Sequence, residues 1–168
     1  MSDVPDPANP AGLAPSVEAP ASPYTGVGGW LLLLCLGLTV LSPLISMISL
    51  VTGYNDSSPF FEQFPGLKII VTVDAVLSAL LMAFSVYAGI GLWTVRPGAV
   101  VMAKRYLFCF LGYHVVAAVL PFLAGLPQDA NDAMMPLVVK SAAQGFVFFA
   151  LWYSYLNKSQ RVRATYRA

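Results

Sequence analysis

The stretch IIVTVDAVLSALLMAFSVYAGIG, residues 69–91, carries a single charged side chain, Asp74, in a run that is otherwise apolar, small or hydroxylated. An α-helix needs about 20 such residues to cross a hydrocarbon core of about 30 Å. The run therefore reads as a membrane span with an acid inside it. Working outward, this span extends over about 69–95, and three further apolar runs flank it at about 28–51, 106–123 and 134–156. Four such runs with little polar face between them leave no residues for a wetted surface, which argues against buried helices of a soluble protein.

Composition agrees, since 58% of the 168 residues are hydrophobic and only 10% are charged, against about 25% charged in an average soluble domain. The expected architecture is all-α: a polytopic membrane protein with a four-transmembrane-helix bundle over residues 27–157. A disordered Pro/Ala-rich tail (1–26) precedes it and a basic tail (158–168) follows. A net charge of +1 gives no electrostatic footprint for nucleic acid. The partner that the composition requires is the lipid bilayer.

With four crossings the N-terminal tail, the second loop and the C-terminal tail share one side. Arg96, Lys104, Arg105, Lys158, Arg161, Arg163 and Arg167 lie there, against Lys68 on the other. The positive-inside rule then places both termini in the cytoplasm. Trp30, Trp93, Tyr106 and Trp152 fall one at each helix end on that same side, where aromatic rings anchor at headgroup level. Residues 1–27 hold Asp3, Asp6 and Glu18 but no Lys or Arg, and the first run is too long for a signal-peptide core, so the first span is expected to be retained. The six prolines of 1–26, set among Ala, Ser and acidic residues, mark a tail that cannot bury enough surface to offset ordering entropy.

In the first outer loop Phe60, Phe61 and Phe64 stand between Pro59 and Pro65. The pattern fits either a short interfacial segment with rings toward lipid or a loop folded over the bundle mouth. In the first span Pro43, beside Ser42, frees a backbone carbonyl and is expected to kink the helix unless neighbours satisfy that group.

Counting about 1.5 Å per residue from the outer ends puts Asp74 roughly 8–9 Å deep and Lys140 of the fourth span at about 9 Å. A lone charge in hydrocarbon costs several kcal/mol on insertion scales, so intramembrane charges pair or face the bundle interior. An Asp74–Lys140 ion pair between the second and fourth spans is the simplest expectation. Ala75, Ala79 and Ala83, beside Ser78, Ser85 and Gly89, and opposite them Ser141 and Gly145 next to Gln144, supply small faces for close approach. A second reading makes Asp74 a titrating group on an ion path with His114, linked by Ser78, Tyr113 and Gln144. So short a chain of polar groups favours the ion pair, with His114 as a hydrogen-bonded core residue.

Enzyme chemistry is not expected. One histidine and two cysteines, Cys35 and Cys109, make no metal site of recognisable spacing, and no nucleophile elbow, HExxH, phosphate loop or CxxC occurs. No catalytic residue, metal or other cofactor is assigned.

Two stretches carry a resemblance. GVGGWLLLLCLGLTVLSPL, residues 26–44, resembles the opening helix of a family of small bacterial inner-membrane proteins known only as a domain of unknown function, DUF2569. WYSYLNKSQRVRATY, residues 152–166, is similar to that family's closing signature, at Ser159, Arg161, Val162, Arg163, Thr165 and Tyr166. The resemblance implies a bacterial inner-membrane location and a four-helix bundle, and it implies no activity. Physically, Arg161, Arg163 and Arg167 suit an anionic lipid surface, at about 1 kcal/mol per basic residue. The lipid surface is the favoured use, and the sharper alternative is that Ser159 to Tyr166 docks a cytosolic partner or packs back on the loop from Arg96 to Arg105. The function expected from sequence is an accessory or scaffolding membrane component with a membrane or cytosolic protein partner. The alternative is a small-solute or ion transporter, oligomeric because four helices alone make a narrow path, using Asp74, His114 and Lys140.

Overall fold

The structure, a computed structural model, describes residues 26–123 and 128–166. The expected disordered tail lies outside them apart from Gly26, as does Arg167. Among the described residues there are helices and turns and no strand. The first span is α1 (Trp30–Leu36), a π-helical turn (Gly37–Leu41), α2 (Ser42–Ser57) and a 3-10 turn (Ser58–Phe60). The others are α3 (Pro65–Trp93), α4 (Ala99–Leu123) and α5 (Gln128–Lys158), followed by the short α6 (Gln160–Thr165). Four helices are thus long and apolar enough to cross a membrane, and their outer faces are studded with exposed Leu, Ile and Val. This is the make-up of a multi-pass integral membrane protein.

Every span runs past the apolar window that announced it: α2 continues to Ser57 rather than ending at 51, and α3 starts at Pro65 rather than 69. The third span starts at Ala99 rather than 106, so Lys104 and Arg105 are helical. Lys104 Nζ donates to Asn157 Oδ1 at 2.7 Å and lies 6.0 Å from the Tyr153 ring centre. Hydropathy marks the edge of the hydrocarbon, whereas a helix ends where its hydrogen-bond ladder ends. The fourth span likewise starts at Gln128 rather than 134. In the outer loop Phe61 packs edge-on against Tyr54, while Phe60 is exposed.

Each helix packs on its neighbour in sequence: the first span on α3, α3 on α4, and α4 on α5. The core lies at the end of the bundle that holds the chain termini. There Leu31, Leu34, Cys35 and Leu38 meet Leu92, Tyr106, Trp152 and Leu156. Tyr106 and Trp152 are 1% and 7% exposed, so they are not headgroup anchors as their positions suggested. The leucines of α1 cover them. By contrast, α2 contributes no buried residue.

The small-residue face of α3 works, but against the first span instead of the fourth. Ser85, Ala88 and Gly89 are buried while Ala79 and Ala83 are exposed. A Cβ on Gly89 would lie 2.5 Å from Thr39 Cγ2 and 3.3 Å from the Thr39 nitrogen, so glycine sets the backbone separation there. The closeness has a second consequence. In the π-turn Ser42 N–H bonds the Gly37 carbonyl, five residues back. The next bond of that register would run from residue 43 to Leu38, and Pro43 has no N–H to give. Ser85 Oγ instead donates to the Leu38 carbonyl at 2.8 Å.

The closing signature is a lid. Ser159 Oγ caps α6 by accepting from Val162 N–H at 3.4 Å, and Val162 is buried in the core. Tyr166 OH donates to the Leu92 carbonyl at 2.6 Å, and Arg163 to the Asn157 carbonyl at 3.2 Å. Burial, then Cys35 and Tyr155 nearby, hold the Tyr166 phenol above the usual tyrosine range. The opening signature meets the lid: Gly26 N–H donates to Thr165 Oγ1 at 3.2 Å, and a Cβ on Gly28 would lie 2.6 Å from Arg161 Nη1. Arg161 and Arg163 therefore belong to a segment folded back onto the bundle.

Ser85→Ala should lower stability by about 1 kcal/mol by stranding the Leu38 carbonyl. In a Pro43→Ala background, where residue 43 regains its N–H, most of that loss should vanish. A double-mutant cycle on thermal unfolding in mild detergent reads the coupling.

Candidate functional site

A cavity of about 630 Å³ opens between the four spans. Its closed end rests on the core residues Leu34, Tyr106 and Trp152. Away from that end the cavity lies between α2 and α5, which make no substantial helix-to-helix contact with each other. The bundle is therefore sealed toward the termini and splayed toward the opposite face.

Each span places polar side chains on this cavity. The first span contributes Ser42, Ser46 and Ser49, and α3 contributes Asp74 and Ser78, one turn apart. From α4 come Tyr113 and His114, and from α5 Ser141 and Gln144. Asp74 is half-buried. Tyr113 OH donates to Asp74 Oδ1 at 2.7 Å, and Ser78 Oγ donates to Tyr113 OH at 3.1 Å. A charged acceptor makes the first of these the stronger bond, and the second polarises it further.

This corrects the expected Asp74–Lys140 ion pair. Asp74 finds a phenol on α4, and Lys140 is exposed on α5 and outside the cavity wall. The helix order explains it, because α4 packs on both α3 and α5 and stands between them. Equal depth was legible from residue counts, but depth says nothing about the azimuth of a side chain. Lys140 lies about 80–140° round the helix from Ser141, Gly145, Phe148 and Trp152, which line the cavity, and that rotation carries it to the outer face.

His114 sits in the wall. Its Nδ1 lies 3.0 Å from the Phe110 carbonyl, which can only accept, so Nδ1 carries the hydrogen. A Cβ on Gly145 would lie 2.6–2.8 Å from ring atoms of His114. The small residue that seemed made for α3 thus accommodates an imidazole of α4. Ser46, Ser49 and Ser141 were not expected at the site. Their spacing carried the signal, since residues 42, 46 and 49 share one helical face. No group of three or more His, Cys, Asp or Glu able to hold a metal ion occurs among the described residues.

A family model described as "Protein of unknown function (DUF2569)" matches residues 24–167. No curated protein matches the chain, and neither does any solved structure.

In thermal unfolding, Asp74→Asn and Tyr113→Phe should couple by about 1 kcal/mol, as a hydrogen bond to a charged acceptor does. Asp74→Asn and Lys140→Gln should be additive within about 0.5 kcal/mol, as sites without shared partners are.

Proposed function

The chain belongs to the DUF2569 family, whose description names no activity, and we propose from its own geometry that it binds a small solute in the intramembrane cavity and carries it across the bilayer. The observation that carries this is the cavity itself: about 630 Å³ with a carboxylate and a hydrogen-bonded phenol in its wall. A bundle with only a structural task gains nothing from a half-buried acid beside open space, because polar groups inside a membrane are costly and mark pathways or binding sites. Binding rather than bond-making is the chemistry assigned. The Tyr113 hydroxyl hydrogen is already committed to Asp74 and that of Ser78 to Tyr113.

We place the protein in the bacterial inner membrane, as the family resemblance implies, with both termini cytoplasmic on the basic residues gathered at the sealed end. Carriage then requires the seal to open, by parting α1 and the lid from α5. An accessory role, through a membrane protein partner or a second copy of the chain, is the alternative. It draws on Lys140, exposed within the fourth span on a face with Leu137, Val147 and Leu151, where an acidic partner helix would satisfy it.

Cys35, which is fully buried at the seal, reports on opening. In a Cys109→Ser background reconstituted in nanodiscs, a carrier should show slow maleimide modification of Cys35 that accelerates about tenfold or more in Val162→Glu, where a buried charge weakens the lid. Complete protection of Cys35 in the parent, at rates no faster than global unfolding, would leave the accessory role as the better account.

A further inference from the structure

We infer that the solute of this cavity is an amphipathic organic cation, its positive head on Asp74 and its apolar body against the aromatic end of the pocket. This presupposes the carrier role above and adds the ligand class.

Charge points first to a cation. Asp74 is among the described lining residues, and no Lys or Arg is. Lys140 stays outside the wall. The described lining therefore holds one carboxylate and one imidazole, His114, with no Lys or Arg to offset the acid. In a low-dielectric setting a half-buried carboxylate without a counter-charge is costly, and a bound cation removes that cost, whereas an anion would add to it.

The hydrogen-bond inventory points the same way. Tyr113 gives its hydrogen to Asp74 Oδ1, and Ser78 gives its own to Tyr113. His114 gives the Nδ1 hydrogen to the Phe110 carbonyl. Ser42 and Tyr106 share one bond across 3.3 Å. Among the described residues no donor bonds Asp74 Oδ2, which leaves an open acceptor at the acid, while Ser46, Ser49, Ser141 and Gln144 elsewhere in the wall can donate or accept. An ammonium fits such a position and a carboxylate or phosphate does not.

The rest of the wall sets the body of the ligand. Below the polar level stand Leu81, Phe110, Phe148 and Trp152, with the Phe110 and Phe148 ring centres 5.1 Å apart and Phe148 and Trp152 6.2 Å apart. Such rings take up apolar groups and, through their faces, the flank of a cation. A free alkali ion would leave this surface unused, so the geometry favours a lipophilic cation.

The test uses the full chain in lipid nanodiscs and two ions of the same shape and opposite charge, tetraphenylphosphonium and tetraphenylborate. Calorimetric titrations are corrected with empty nanodiscs. The phosphonium should bind saturably and the borate should not. Asp74→Asn should weaken the phosphonium roughly ten- to a hundredfold while Asp74→Glu retains most of it, each compared at equal folded fraction by circular dichroism. Equal affinity for the two ions, or an Asp74→Asn variant that binds the phosphonium unchanged, would overturn the cation class. If Ser141→Trp then still abolished that binding, the cavity would stand as a solute site of another class. If neither ion bound saturably, the ligand class would fall, and the carrier role would be decided separately by the Cys35 modification rates.

Discussion

The hydrogen bond from Ser85 Oγ to the Leu38 carbonyl is the contact on which the rest of the bundle turns. Inside hydrocarbon no water can take an orphaned carbonyl, so every such group must find a protein donor. Pro43 creates the orphan, the π-turn Gly37–Leu41 positions it, and Ser85 satisfies it. Gly89 lets the two backbones come close enough for the bond to form. The π-turn inserts extra helix between α1 and α2 and so rotates the face of one relative to the other. One half of the span can then enter the core while the other half stands apart from α5. The cavity is the space this leaves.

Much of this was legible in the sequence and some was not. Span number and all-helical class follow from four apolar runs, because hydrocarbon admits few alternatives. The disturbance at Pro43 was also legible, since proline's missing N–H is a local property. The identity of its rescuer was not, because Ser85 lies 47 residues away and a serine in an apolar helix has many available partners. Asp74 stood out by its charge, yet its partner was misread. Opposite charge is a stronger signal on paper than the Tyr113 hydroxyl, although either satisfies a carboxylate. Tyr106 and Trp152 were misread for a related reason. Their positions fit headgroup anchors, and only the packing of α1 across the bundle takes them inside.

The polar residues of the cavity form a graded arrangement. The donors near the acid are spent on one another in the series Ser78, Tyr113, Asp74, which holds the carboxylate in one orientation without neutralising it. Apolar surface lies on the core side of this series. A site built this way discriminates by sign of charge first and by shape second.

The lid has a consequence for how the protein is made. Gly26 and Thr165, 139 positions apart, share a hydrogen bond, and Tyr166 reaches the backbone of α3 at Leu92. Synthesis proceeds from the N-terminus, so Gly26 and the Leu92 carbonyl must wait for their partners until residues 159–166 have left the ribosome. The lid therefore joins after the four spans, and a chain cut short before Ser159 would keep the α1 leucines against Tyr106 and Trp152 yet lack the cover of Val162 and Tyr166.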